Sequence, residues 1–441
     1  MVRIQLPRKA EDIIEKIQTA GYEAYAVGGC IRDSILGKEP DDWDITTSAK
    51  PEEVKMLFDR TIDTGIQHGT VTVMIGKEGF EITTYRIDGK YEDSRHPKDV
   101  TFTSNLKEDL RRRDFTINAM AYNSKDGLID LYEGVQDMKQ GLIRCVGDAE
   151  ERFTEDALRM MRAVRFSAQL GYAIEENTKK AIRKLAPTIQ NISAERIRTE
   201  LVKLMTSAHP DFFRIAYETG ITAQVFPEFD ICMETEQNNP HHCYSVGEHI
   251  LHTLSYVESD KVLRLAMLFH DIGKPRTRTI DEEGITHNHG HAAVGEELTV
   301  RILKRLKFDN DTIDKVKKLV RYHDRKIETN AKSVRRAVSD MGEDIFPLLF
   351  SVKYADIMAQ SEYQRDEKLS ELETLKSIYG RIIEEKNCLS LKDLAVTGGD
   401  LIAAGMKPGR EIGTALHKLL EVVLEEPEHN QKEYLLSLLQ L

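Results

Sequence analysis

The stretch Tyr25–Thr46, YAVGGCIRDSILGKEPDDWDIT, constrains this chain more than any other. A short apolar run, AYAV, leads into Gly28-Gly29, then Arg32-Asp33, and then Asp42 and Asp44 flank the only tryptophan, Trp43. Carboxylates two apart on an extended segment point to one face, which sends Trp43 and Ile45 to the other, toward a core. Paired hard oxygens suit Mg²⁺, which takes one or two carboxylates plus substrate phosphates. The glycine pair lets backbone N–H groups come close to a phosphate. Together these features point to phosphoryl or nucleotidyl transfer. An isolated Asp-x-Asp would more often be a surface turn after Pro40, and only its context lifts this one.

The 441 residues are enough for two to four domains. No apolar run approaches the ~20 residues of a membrane span, and the N-terminus MVRIQLPRKAEDIIEKI reads as an amphipathic helix rather than a signal peptide. Cys30, Cys145, Cys232, Cys243 and Cys388 include no Cys-x-x-Cys pair, which argues for a reducing cytoplasm and against structural zinc. The formal net charge of −12 means that any nucleic-acid surface must be local. Candidates are Lys107–Arg113, Lys179–Arg183 and Arg301–Lys326.

Residues 1–147 mix helix and strand signals. Helices are expected from Glu11 to Ala20 and from Pro51 to Phe58, and a strand over Ala24–Val27. TVTVMI (70–75) and FEITTY (80–85) read as a hairpin closed by Gly76 to Gly79. The polar segment Asp88–Asp99 reads as a functional loop. Beyond residue 148 the period is helical throughout, with helices expected over 154–170, 176–185, 193–206, 210–219, 247–258, 261–270, 290–306, 311–322, 332–340, 345–361, 364–385 and 412–440. The stretch Pro227–Pro240 is the best boundary in the second half.

Further motifs carry chemistry. RRRDFTINA (111–119) places an arginine cluster before Asp114 and Asn118, able to neutralise a triphosphate and orient a sugar. DLYEGVQD (130–137) is a turn after a strand. In EDALRMMRAVRF (155–166), a single helix would put Asp156, Arg159 and Arg162 on one face. Such an Asp–Arg pair is usually a weak surface salt bridge, but it also offers an acceptor–donor edge matched to a base.

In order, GGCIRD, DDWD, RRDFTINA, DLYEGVQDM, EDALRMMRAVRF and AERIRTEL resemble the class II tRNA nucleotidyltransferases, the CCA-adding enzymes and their relatives. The resemblance covers roughly residues 20–205. It implies an α+β, polymerase-beta-like head (1–147), then all-α parts: a neck binding nucleotide and tRNA (148–225), a third domain (226–365) and a tRNA-binding tail (366–441). It implies Mg²⁺ on Asp42 and Asp44, with Glu81 as a third carboxylate on what reads as an edge strand. Gly28, Gly29, Arg32 and Arg112 would hold the triphosphate, Asp114 and Asn118 the ribose side. Asp156 and Arg159 would select C and A, and Arg162 would position or stack. The expected substrates are CTP, ATP and tRNA. A CC-only enzyme is expected to lack part of RIDGKYEDSRHPKDVTFTSNLKEDL, which is full length here, and a poly(A) polymerase to carry a basic C-terminal extension, whereas this tail is acidic. An A-only enzyme would share every motif.

A second resemblance starts near residue 241. His249, the pair His270-Asp271 in LAMLFHDIGKP, and Asp356 follow the order of the HD metal-dependent phosphohydrolases, and His291 and His323 match the two extra ligands of binuclear members. Neutral imidazole with carboxylate suits Mn²⁺, Fe²⁺, Ni²⁺ or Zn²⁺, and Mg²⁺ more weakly. The competing readings are a helical scaffold for tRNA, or a phosphohydrolase with an inactive head. Intact Asp42 and Asp44 argue against the latter.

Overall fold

The computed structural model describes residues 3–89 and 100–439. The segment Asp88–Asp99 lies outside the described residues but for its first two positions. The chain divides into two compact units, Met1–Pro227 and Glu228–Leu441.

The first unit is built on a seven-stranded mixed sheet. Its strands are β1 (Ala24–Val27), β2 (Ile45–Thr47), β3 (Thr61–Gly65), β4 (Thr70–Ile75), β5 (Glu78–Thr84), β8 (Met120–Asn123) and β9 (Gly127–Asp130), in the order β3-β4-β5-β2-β1-β8-β9. Strands β6 (Arg86–Asp88) and β7 (Val100–Phe102) form a separate antiparallel ribbon. β1 is buried along its whole length, as a central strand covered on both faces must be. The β4–β5 hairpin turns over Gly76-Lys77, with Ile75 opposite Glu78 and Gly76 at φ 68°. β2 runs parallel to β5 and pairs Ile45 with Ile82. Glu81 therefore sits on an interior strand between β4 and β2, not on the edge strand the sequence suggested.

From Ala149 the unit is helical apart from Ala173-Ile174, which pair in parallel with Leu142-Ile143. The helix expected over 154–170 is two helices, Ala149–Glu155 and Leu158–Leu170. The break comes at Asp156, whose backbone is extended and whose carboxylate accepts the Leu158 N–H at 3.0 Å. An Asp competing for backbone donors favours a helix start over a helix interior. Ala157, Leu158 and Met161 are buried, as their spacing predicts.

Among its described residues the second unit is helical apart from a two-stranded ribbon, Thr279-Ile280 with Thr286-His287. Its apolar core lies along the helices Val246–Leu254, Lys261–Phe269, Asn310–Tyr322 and Phe346–Ala359. The single helix expected over 412–440 is Arg410–Glu425, a 3₁₀ turn Pro427–His429, and Lys432–Ser437. Pro427 cannot donate to the ladder and disfavours a helical residue before it; Glu426 is extended accordingly.

Candidate active site and a second metal-competent cluster

In the first unit, the ends of β1 and β2 open into a cleft of about 380 Å³. Asp42 and Asp44 lie on the extended lead into β2, and Val27 N–H donates to the Asp44 carbonyl at 2.9 Å, so the ladder continues past the strand's end. Ile45 is buried beneath them, but Trp43 is only half-buried and does not anchor the core as expected. Desolvation, then the neighbouring carboxylates of Glu81 and Asp42, raise the Asp44 pKa, against the pull of Arg113. Asp42 and Asp44 line the cleft, while Glu81, on β5, acts on Asp44 through its charge and is not among the cleft-lining residues.

Gly28 closes β1 with φ 87°, a conformation that favours glycine, and a Cβ there would meet the Arg113 guanidinium at 3.1 Å. Gly29 opens the helix Gly29–Ile35. Arg32 forms a bidentate pair with Asp33 at 2.8 and 2.9 Å and donates to Asn118 Oδ1 at 2.7 Å. Asn118 in turn donates to Asp114 at 3.2 Å. Asp114 also accepts from Phe115 N–H at 2.8 Å and pairs with Arg162 at 2.6 Å. Burial opposes the charge on Asp114, but Arg162 more than offsets it and holds the pKa at about 2. Arg32, Asn118, Asp114 and Arg162 thus form one connected polar wall. DLYEGVQD braces it from behind: Asp137 accepts from Thr116 Oγ1 at 2.7 Å, and a Cβ on Gly134 would sit 2.4 Å from the Thr116 carbonyl.

Three expected residues, Arg112, Asp156 and Arg159, have other local partners. Arg112 turns its guanidinium onto buried Asp109 at 2.8 and 3.0 Å, and its neighbour Arg113 lines the cleft instead. In a tight turn, successive side chains cannot share one direction, and nothing in RRR marks which one faces the cleft. Asp156 and Arg159 do not lie on one helical face. Asp156 is bound by Arg196 at 2.7 Å, while Arg159 is held by Glu155 at 2.6 Å and by the Arg112 carbonyl at 2.9 Å. Sequence reasoning missed Arg113, Arg165, Phe166 and Lys203, all on the cleft wall. The Phe166 ring has the guanidiniums of Arg165, Arg32 and Arg162 at 3.8, 5.1 and 5.3 Å. The spacing R-x-x-R-F carried that signal.

The second unit gathers His249, His270, Asp271, His291, His323 and Asp356. Ligand atoms of His249, His270 and Asp271 all lie within 4.8 Å of one another, as do those of Asp271, His291 and His323. Asp271 belongs to both sets: Oδ2 lies 3.3 Å from His270 Nε2 and 3.6 Å from His249 Nε2, and Oδ1 lies 3.5 Å from both His291 and His323 Nε2. Asp356 Oδ1 is 2.9 Å from His249 Nε2. His270, His291 and His323 give Nδ1–H to the carbonyls of Met267, Asn288 and Val320 at 2.7, 2.8 and 2.7 Å, which leaves Nε2 bare and inward. Bare nitrogens then face each other at 3.1 Å between His291 and His323, an arrangement that a cation relieves. Asp271 is buried, yet Lys274 at 2.7 Å and His270 keep its pKa well below the usual carboxylate range. Burial and Lys274 push His242, beside the cluster, down to about 3. Burial likewise lowers the pKa of His291, so that it and the ionised Asp271 are in the form a metal takes. Lys274 and His242 were not singled out from the sequence, although Lys274 follows the His-Asp pair in HDIGKP.

A sheet-based head whose cleft gathers aspartates and arginines is the architecture of a nucleotidyltransferase, and comparison with known proteins agrees. Residues 24–144 match the Poly A polymerase head domain, and residues 289–439 match the family model for tRNA nucleotidyltransferase domain 2. The chain belongs to the family of CCA-adding enzymes. It is 39% identical to the CCA-adding enzyme of Leuconostoc mesenteroides over 94% of this chain and 92% of that protein. It is 36% identical to that of Lactobacillus helveticus over 96% and 94%. The crystal structure of the Bacillus stearothermophilus CCA-adding enzyme in complex with CTP superposes with a TM-score of 0.75 at 29% identity, over 98% of this chain and 97% of that one. Among the described residues no helix is long and apolar enough to cross a membrane.

Proposed function

We propose that this chain adds C, C and A to the 3′ end of tRNA from CTP and ATP, without a nucleic-acid template, in the cytoplasm. The observation that carries this reading is that Asp42 and Asp44 line one cleft with the connected wall of Arg32, Asn118, Asp114 and Arg162. Mg²⁺ held by Asp42 and Asp44, with Glu81 beside them, would lower the pKa of the tRNA 3′ hydroxyl and brace the departing pyrophosphate. The hydroxyl oxygen forms a bond to the α-phosphorus, and the bond to the β-phosphate oxygen breaks. Gly28, Gly29, Arg32 and Arg113 bind the triphosphate, and Asp114 and Asn118 orient the ribose. Asp156 and Arg159 present the acceptor and donor that select the base, held in place by Arg196 and Glu155. The parts named neck and tail from the sequence, 148–225 and 366–441, bind tRNA. Extension of tRNA transcripts ending before CCA, CA or A, with each nucleotide supplied separately, tests this reading; addition restricted to A would replace it with an A-adding enzyme.

We further propose that residues 226–365 form an HD domain that hydrolyses 2′,3′-cyclic or terminal phosphates with a transition metal. The shared Asp271 between two His-containing ligand sets supports a binuclear centre. Metal analysis of the purified protein and hydrolysis assays with Mn²⁺, Ni²⁺ and Mg²⁺ in turn are the test. A parent that holds no metal and hydrolyses nothing would leave the domain a scaffold.

A further inference from the structure

The ring of Phe166 lies where three cations of the first cleft meet. The guanidinium carbons of Arg165, Arg32 and Arg162 stand over it, 3.8, 5.1 and 5.3 Å from its centroid. Arg162, Arg165 and Phe166 belong to the helix Leu158–Leu170, but Arg32 comes from the helix Gly29–Ile35, far away in the chain. The ring is 5% exposed and meets the buried Phe115 ring at 80°, centroids 5.8 Å apart, so its orientation is fixed from below. Each arginine also has an acid of its own: Asp33 for Arg32, Asp114 for Arg162 and Glu200 for Arg165. Those separate pairs do not by themselves draw three like charges together. The negative face of an aromatic ring does.

A guanidinium gripped by its plane keeps its N–H donors free. Arg32 has five such donors, of which Asp33 takes two and Asn118 one. Further hydrogen bonds would fix the side chain but use up the donors a phosphate needs. Contact with a ring face fixes it and uses none. From this we infer that Phe166 is a positioning residue: its ring holds Arg32 in place for the triphosphate of the incoming nucleotide, and Arg162 in place for Asp114. The inference rests on the CTP and ATP reading of this cleft and deepens it. Phe166 acts through the arginines and takes no part in bond making. Its role is electrostatic as well as steric, which separates it from core packing; a leucine would fill much of the space and supply no quadrupole.

The test replaces Phe166 in the full-length protein with mono-, di- and trifluorinated phenylalanine, introduced at an amber codon. Fluorine withdraws charge from the ring face and barely changes the ring's shape. KM for CTP and ATP in tRNA extension should climb with each fluorine, to about tenfold for the trifluorinated ring, while kcat moves less than about twofold. The unfolding midpoint should stay parental across the series. The dissociation constant of CTP, read by calorimetry without tRNA, should climb in step with KM. Phe166→Leu should raise KM at least as far as the trifluorinated ring does. A series in which KM and CTP affinity stay flat overturns the positioning role, whatever Phe166→Leu does. So does a KM that rises only as the unfolding midpoint falls, which is the mark of packing. A parent whose CTP affinity follows the fluorine count but which extends no tRNA keeps the positioning role and removes the transfer reading alone. A parent that binds neither CTP nor ATP overturns both.

Discussion

Asp156 and Arg159 are a pair whose partners matter more than their spacing. The sequence suggests an i, i+3 couple on one face, but Asp156 caps the start of a helix and leans on Arg196, while Arg159 leans on Glu155. Each group is pinned by a second charge, so the edge proposed to meet a base is held in one arrangement. Arg196→Ala and Glu155→Gln should therefore relax nucleotide choice, raising UTP and GTP incorporation relative to CTP and ATP roughly tenfold or more. Misincorporation ratios on a tRNA lacking CCA check this. A drop in rate with unchanged ratios would make both contacts merely structural. Asp114 gives a pH signature. Its folded pKa of about 2 lies below the unfolded value, so its stabilising contribution is full above ~4 and disappears as pH falls through about 2. The shift corresponds to roughly 2 kcal/mol. Asp114→Asn should lower the unfolding free energy of the first unit at neutral pH by that order, and should flatten its dependence on pH between about 4 and 2. Acid titration of denaturant midpoints reads both.

At the scale of elements, motifs were legible wherever local chemistry was strong. Gly28-Gly29 and the β4–β5 hairpin follow from residue type and period alone, because a glycine at positive φ or a two-residue turn is decided within a few residues, whereas the alternation through Asp42 and Asp44 did not carry Trp43 into the core. The strand order was not legible. That Glu81 lies inside the sheet depends on β2 inserting next to β5, a pairing across 37 residues that no local pattern encodes. Arg112 and Arg113 differ only in which way a turn throws them, and Asp109, which captures Arg112, is read as one more helix-face acid. The helix break at Asp156 was missed because the apolar period runs through it unchanged. Close element contacts make a further prediction. A Cβ on Gly273 would lie 2.1 Å from the His291 carbonyl and 2.7 Å from Gly295 N, so the His-Asp turn packs backbone to backbone against the helix that carries His291. Gly273→Ala must push the two apart, at a cost of about 1–3 kcal/mol. It should lower the unfolding midpoint of the second unit and reduce bound metal per chain. A variant with parental midpoint and metal content would mean that His291 is not held by this contact.

Across the whole molecule, a net charge of −12 coexists with basic side chains gathered where phosphates are proposed to bind. Arg32, Arg113, Arg162, Arg165 and Lys203 line the first cleft together with Asp33, Asp41, Asp42, Asp44 and Asp114. The charge total reports on solubility, and the local groupings on partners. The two sites lie in separate compact units and share no residue. His270→Ala should abolish metal uptake and hydrolysis while sparing CCA addition, and assays of both activities in both variants should find the reverse for Asp42→Ala. The central claim is that the Asp42–Asp44 cleft transfers nucleotides to tRNA. The most direct measurement is single-nucleotide extension of a tRNA transcript lacking CCA, with CTP and ATP, by the parent and by Asp42→Ala, alongside their tRNA affinities. The account predicts full CCA by the parent, and a loss of at least about a thousandfold in rate for the variant at nearly unchanged tRNA binding. Extension by Asp42→Ala at the parental rate would contradict it.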